Sequence, residues 1–345
     1  MATPSALVAL FFDSLITKWK TLPETVVDLT GRTVIVTGAN VGLGLGAAKR
    51  FYAMNPARLI IAVRTLSKGE KAKRDILESG KKEGPPGSVR EETQVDVWSL
   101  DLCDFESVRA FAAKCEKELS RIDILLENAA IMNSGWTVTR NGWESDLQTN
   151  VLSTFLLASL LAPIVAKTSK LPVPVPGSTL KPHIVIVASD AHYISPFRVR
   201  NEPNILAALN DRTHYFKDDR YSDTKAIDIL ITQQLAKSPA LKDVVVCSVN
   251  PGFCRSDLMR TWPTIIREIM YAILARTAEE GSKTYTWASL TNDIPPGSYT
   301  SSCVVTRAGG IVAGDTGERI RAQLWDEIIA VLIEEAPEIE GVLRF

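Results

Sequence analysis

The chain has 345 residues, 46% of them hydrophobic and 23% charged, which excludes a disordered tail, a collagen-like repeat and a low-complexity scaffold. Thirty-nine basic residues against forty acidic ones leave a formal charge of -1, so no global field selects nucleic acid or an anionic membrane as a partner. Five scattered cysteines without CxxC spacing and three histidines without HExxH or HxH spacing argue against a disulfide framework and a metal site, and fit a reducing, cytoplasmic setting.

Residues 1–30 read as an amphipathic N-terminal extension. Its apolar run, Ala6 to Phe12, stops at Asp13, far short of the ~20 residues a bilayer span needs. Lys18 and Lys20 follow the run, whereas a secretory signal carries its basic residues in front. Leu7, Leu10, Phe11, Leu15 and Trp19 share one helical face, which suits docking on the body of the protein or lying in a membrane interface; docking is favoured. Strands are then expected at Thr33–Thr37, Leu59–Val63, Gln94–Trp98, Ile122–Leu126, Ile184–Val187 and Val244–Ser248. Helices fit the gaps, at about 42–54, 67–79, 104–119, 142–167 and 220–237, with two more at 279–291 and 316–335. This alternation predicts one α/β domain over 31–345, a Rossmann-type doubly wound parallel sheet with helices on both faces. The Pro- and Gly-rich stretches Gly80–Thr93 and Lys170–Pro182 read as surface loops without chemistry.

Directly after the first strand comes Thr37-Gly38-Ala39-Asn40-Val41-Gly42-Leu43-Gly44, opening into a helix. Glycines there permit a tight turn and a close approach of backbone to a pyrophosphate, which the positive helix end attracts. Further motifs follow in order: Asp101-Leu102, Asn128-Ala129-Ala130, Asn150, Ser189, Tyr221 and Lys225 as YxxxK, Pro251-Gly252, and Ser256. Over residues 31–260 this series resembles the short-chain dehydrogenase/reductase family. The TGANVGLG turn, the arginine after the second strand and the long gap before YxxxK are most similar to its retinol-dehydrogenase-like and fungal reductase branch. Two positions depart from the family's pattern, Ala130 where glycine is usual and Ser256 where threonine is frequent.

The resemblance implies a catalytic set of Asn150, Ser189, Tyr221 and Lys225, with Asn150 holding a water that relays protons through Lys225. It also implies cofactor contacts from Gly38, Asn40, Gly42, Leu43, Gly44, Asp101 beside the adenine, Leu102, Asn128, Ala129, Tyr221, Lys225, Pro251, Gly252 and Ser256. The residues themselves support such chemistry. A tyrosine of ordinary pKa about 10 needs a nearby cation, and Tyr221 alone among the tyrosines has a lysine four positions on, on the same helix face. Ser189, at a strand's carboxyl end, can donate to a substrate oxygen. Cys254 lacks a histidine partner and reads as an ordinary thiol, while His183 and His192 read as polar surface or core groups.

No Asp or Glu lies between Gly38 and Arg64, so nothing accepts from a ribose 2′-OH; Arg64, followed by Lys68, instead matches a 2′-phosphate. NADP(H) is the expected cofactor. Arg58 could assist but more simply caps its strand. The leading expectation is an NADPH-dependent oxidoreductase interconverting a ketone or aldehyde and an alcohol. A family member with dehydratase, epimerase or cyclase activity, or a non-catalytic regulatory protein, stays open, as do monomer and homodimer. Ser189 and Tyr221 lie 32 positions apart. That insert, 191–220, and the segment 253–276 are expected to overhang the site as a lid. They would form an apolar pocket for a lipophilic, even polycyclic, carbonyl or alcohol substrate, with Met259 or Trp262 on its wall and Phe197 contributing to selectivity; simple core packing is the competing reading.

Overall fold

Runs rich in Val and Ile, whose branched side chains suit a pleated surface covered on both sides, form the centre of the molecule. A computed structural model describes residues 15–79, 93–256, 258 and 264–345. Strands β1 (Thr33–Thr37), β2 (Arg58–Val63), β3 (Gln94–Ser99), β4 (Ile124–Glu127), β5 (His183–Val187), β6 (Val245–Asn250) and β7 (Tyr299–Ser301) run parallel, and β8 (Val304–Thr306) pairs antiparallel with β7. The order is β3-β2-β1-β4-β5-β6-β7-β8, so the chain reverses its direction of travel between β1 and β4. In β1, Val34 lies opposite Leu59 on one side and Ile124 on the other. An open sheet of this kind binds ligands beyond the carboxyl ends of its strands at that reversal.

Alternation along each strand sorts the core into two layers. Val34 and Val36 face α1 (Gly42–Ala53), α2 (Leu66–Ser79) and α8 (Ala278–Leu290), packing with Phe51, Ile61 and Tyr285. Ile35 faces α3 (Phe105–Glu118), α4 (Ser145–Thr168), α6 (Lys217–Leu235) and α9 (Gly314–Glu335), with Ile60, Phe155 and Ile186. α4 is long and apolar enough to cross a membrane by length and composition, but most of its apolar stretch is buried beneath the sheet, as a core helix requires.

Three expectations need correction. Part of residues 191–220 joins the core: Phe197, Val199, Leu206 and Leu209 are buried in the α4–α9 layer, and α5 (Ile205–Leu209) is held there by the Glu327 carboxylate, which accepts from the Ile205 and Leu206 N–H groups. Phe197 takes φ +40, a conformation costly for an aromatic residue, held by complete burial of its ring. Trp19 is 76% exposed, because the helical turn carrying Leu15 ends before it and the chain continues extended. Residues further along do dock: Leu22 and Leu29 are buried, the Leu29 N–H reaches the Met54 carbonyl, and Arg276 bonds the Thr17 carbonyl. Finally, α5, the β7–β8 pair, α7 (Thr264–Leu274) as a discrete helix and α10 (Glu340–Leu343) add to the expected elements; three-residue strands are too short to show a period. Leu7, Leu10, Phe11, Met259, Trp262 and the loop 80–92 lie outside the described residues.

Candidate active site

The glycine-rich turn is fastened to the end of β4. The Thr37 hydroxyl accepts the N–H groups of Asn128 and Ala129, each at 3.0 Å, and the Asn128 amide donates to the Thr37 carbonyl at 2.8 Å and the Gly38 carbonyl at 3.3 Å. Gly38 sits at φ +66, and a side chain at Gly44 would place its Cβ 2.5 Å from Asn128 Nδ2 and 2.7 Å from the Gly38 oxygen. The glycines are therefore dictated by Asn128 as much as by any ligand. Asn128, expected as a cofactor contact, has its amide turned onto the turn and shapes it. At the start of α1 the N-cap, Val41, offers no capping side chain, so this helix end keeps its donors for a ligand. Gly42 beside it has open space around it, and Asn40 is half-buried. Leu43 is half-buried against the α1–α8 layer.

Arg64 and Lys68 stand exposed where β2 passes into α2, their side chains with no ion pair or hydrogen bond among the described residues. Arg58 lies at the opposite end of β2, bonded to Asp96 at 2.6 Å and stacked over Trp98, so it caps the strand and cannot reach a nucleotide at the turn. Asp101 accepts the Cys103 N–H through one carboxylate oxygen, and Leu102 buries its side chain in the core, which leaves only its backbone for a ligand.

At the carboxyl end of β5, Ser189 caps a short 3-10 turn, its hydroxyl accepting the Ala191 N–H at 3.1 Å and donating to Asp190 at 3.2 Å. Tyr221 and Lys225, one turn apart on α6, face the same edge, with the ammonium 5.8 Å from the phenol ring centre. Lys225 is buried and donates to the Val187 carbonyl and to Asp228, both at 2.8 Å. Asn150 occupies a π-helical turn, Gln148–Leu152, at the start of α4. Its side chain is committed, accepting from the Ile131 N–H and donating to the Ile131 carbonyl and Thr224 hydroxyl, so it ties the loop after β4 to α6. Burial holds the Tyr221 hydroxyl above its ordinary pKa, although Lys225 and a hydrogen bond with Ser189 pull it down; the lysine's effect is the expected one, and desolvation outweighs it. Burial also opposes the Lys225 ammonium, but Asp228 and Tyr221 more than compensate and raise it.

Gly252 follows β6 at φ +77, where a Cβ would press on Arg276, and Arg276 donates to the Pro251 carbonyl at 3.2 Å. The Ser256 carbonyl accepts from the Tyr271 hydroxyl at 2.7 Å, and its Oγ meets the Leu258 N–H at 3.4 Å. Cys254 is buried and its thiol is pushed up to about 12 by burial, which makes it a poor nucleophile. No group of three or more metal-ligating side chains occurs among the described residues.

Residues 32–170 match the family described as short chain dehydrogenase. The short chain dehydrogenase/reductase dmxR8 of Cryptosporiopsis is 34% identical over 322 residues, covering 91% of this chain and 94% of the relative. The chain belongs to the short-chain dehydrogenase/reductase family. The short chain dehydrogenase atnD of Emericella nidulans is 36% identical over 301 residues, spanning 85% and 90% of the two chains, which places this member among fungal enzymes. Its fold superimposes on an Escherichia coli short chain dehydrogenase crystallised with NADPH at a TM-score of 0.55 and 21% identity, covering 80% of this chain and 98% of that one.

In this dehydrogenase several site residues escape a motif reading. Asp228 has a readable signal, since a carboxylate three positions after a helical lysine shares its face. Glu127, buried at the end of β4, and Asp190, beside Ser189, have none, because neither belongs to a recognised spacing. His192 is buried under the site, its Nδ1 2.6 Å from the Ser189 carbonyl, and His183 bridges two backbone carbonyls; both are core groups. Met132, Phe253 and Met270 gather around Tyr271 and Ala275 as a small, partly buried apolar group beside the Pro251-Gly252 loop.

Proposed function

We propose that this short-chain dehydrogenase is an NADPH-dependent oxidoreductase interconverting a ketone or aldehyde and an alcohol on a lipophilic substrate, in a reducing, cytoplasmic compartment. The observation that carries the reading is the convergence of Tyr221, Ser189 and the Lys225 ammonium at the carboxyl edge of the sheet, next to a glycine turn and an uncapped helix end. When bound, NADPH supplies the hydride. Tyr221 Oη donates the proton to the substrate oxygen, the Ser189 hydroxyl holds that oxygen in line, and Lys225 stabilises the phenolate left behind. Asn150 fixes the loop after β4 against α6, beneath the reacting groups.

The residues around the turn fit a 2′-phosphorylated dinucleotide. Arg64 and Lys68 are exposed without acidic partners among the described residues, and a guanidinium matches a phosphate bidentately. Asp101 keeps one oxygen for an adenine amino group, and Pro251, Gly252 and Ser256 would flank the nicotinamide. Met132, Phe253 and Met270 support an apolar substrate.

The test mixes purified protein with NADPH and a panel of carbonyl compounds, following nicotinamide absorbance together with product mass. NADPH oxidation with matching alcohol formation is expected, and Tyr221→Phe should lower turnover by about 10²–10⁴-fold with NADPH still bound. Product without net NADPH consumption would assign a non-redox reaction. Tight NADPH binding without any turnover would assign a regulatory role.

A further inference from the structure

Behind the Tyr221–Lys225 pair lie two carboxyl groups that the proposed chemistry does not use. Asp228, on α6, is buried and accepts from Lys225 at 2.8 Å through Oδ2, while its Oδ1 has no partner among the described residues. Glu127, from β4, is buried with both carboxyl oxygens unpartnered among the described residues. An unpartnered ionised carboxylate is too costly at such a site, so Glu127 is held protonated; burial and the charge of Asp228 both push its pKa well up. Burial pushes Asp228 up to about 6 although Lys225 pulls it down, so at alkaline pH the lysine's buried partner carries one negative charge.

We propose that Asp228 is a positioning residue that fixes the proton inventory of the Tyr221–Lys225 pair, and so sets the highest pH at which carbonyl reduction runs. The inference rests on the function proposed above. The sign does not depend on which member of the pair loses its proton first. Asp228 favours retention both of the phenol proton and of the ammonium proton, so removing its charge eases either loss, and the macroscopic pKa of the pair falls. Other groups facing the pair are Ser189 and Asp190 on the 3-10 turn, Glu127 on β4, and Tyr285 on α8, whose burial keeps it neutral. Of these only Asp190 adds a second negative charge; it accepts from the Ser189 hydroxyl, whereas the lysine donates to the Val187 carbonyl and to Asp228.

The experiment measures the pH dependence of kcat/KM for carbonyl reduction in wild type, Asp228→Asn, Asp228→Ser and Asp228→Glu. Independently of turnover, it also measures the tyrosinate absorbance of each, with the matching Tyr221→Phe protein subtracted. In the neutral variants the alkaline limb and the Tyr221 titration should both move down by about one pH unit or more, the size of a unit charge within ~8 Å at an effective dielectric constant of ~20. Asp228→Glu should bring both back towards wild type. A folded neutral variant with an unmoved limb and an unmoved titration overturns the proposal, as does a folded Asp228→Glu that fails to restore them. If both neutral variants fail to fold while Asp228→Glu folds, the carboxylate serves stability alone and the proposal is again overturned. A wild-type protein that reduces no carbonyl compound would sink the proposed function, yet the absorbance titration would still decide the role of Asp228.

Discussion

Asn128 links sequence motif to local structure more tightly than any other residue in the dehydrogenase. Its two amide donations hold the glycine turn against β4, and the space its Nδ2 occupies excludes a side chain at Gly44. Asn128→Asp keeps the shape but turns a carboxylate towards two carbonyl oxygens. The loss should be roughly 1–3 kcal/mol, the cost of unpaired buried groups, with weaker NADPH binding. Thermal unfolding and a cofactor titration check it, and an unchanged melting temperature would mean that the turn stands without these bonds. Arg64 is a different case, an exposed cation whose side chain has no partner among the described residues. Arg64→Asp should reverse the preference of kcat/KM from NADPH towards NADH through lost pairing and new repulsion. A ratio that stays where it was would assign the 2′-phosphate to Lys68 or another group.

Among the elements, the two segments expected to form a lid part company. The 191–220 segment joins the core through Phe197, Leu206 and Leu209, whereas α7 buries Tyr271 and Leu274 and leaves Ile265, Ile269 and Ile273 exposed. Phe197→Ala should therefore cost about 3–5 kcal/mol, as a large buried ring does, and weaken all substrates alike. Phe253→Ala and Met270→Ala, in the small apolar group beside the Pro251-Gly252 loop, should instead raise KM for bulky ketones more than for small ones. Melting temperatures together with KM across a size series of ketones separate the two classes; a size-dependent KM in Phe197→Ala would return that ring to the substrate pocket.

For the molecule as a whole, buried carboxyls tie stability to pH. Burial pushes Asp223 up to about 7, despite the Ser195 hydroxyl bonded to it at 2.6 Å. Its folded pKa exceeds the unfolded one, so its contribution is fully present below the unfolded value of 3.8 and is lost as pH rises to about 7. Asp146, pushed up to about 7 by burial and by Glu144, has the same sign. His192, lowered to about 4 by burial, has the opposite sign: its contribution is present above pH 6.5 and lost as pH falls towards 4. Asp223→Asn should thus raise the melting temperature at pH 8 more than at pH 5. Equal shifts at both values would show that Asp223 is not protonated in the fold.

The order of strands and helices, the glycine turn, YxxxK and the unopposed Arg64 were legible in the sequence, because each depends on local periodicity or on residues close together in the chain. Only the tertiary structure decided that Phe197 is core, that Asn128 spends its amide on backbone carbonyls and Asn150 on Ile131 and Thr224, and that Glu127 and Asp228 sit behind the lysine. Those facts depend on desolvation and on contacts between residues as distant as Asn150 and Thr224. Periodicity carries neither, since burial of a polar group is fixed by what packs over it and not by its neighbours in the chain.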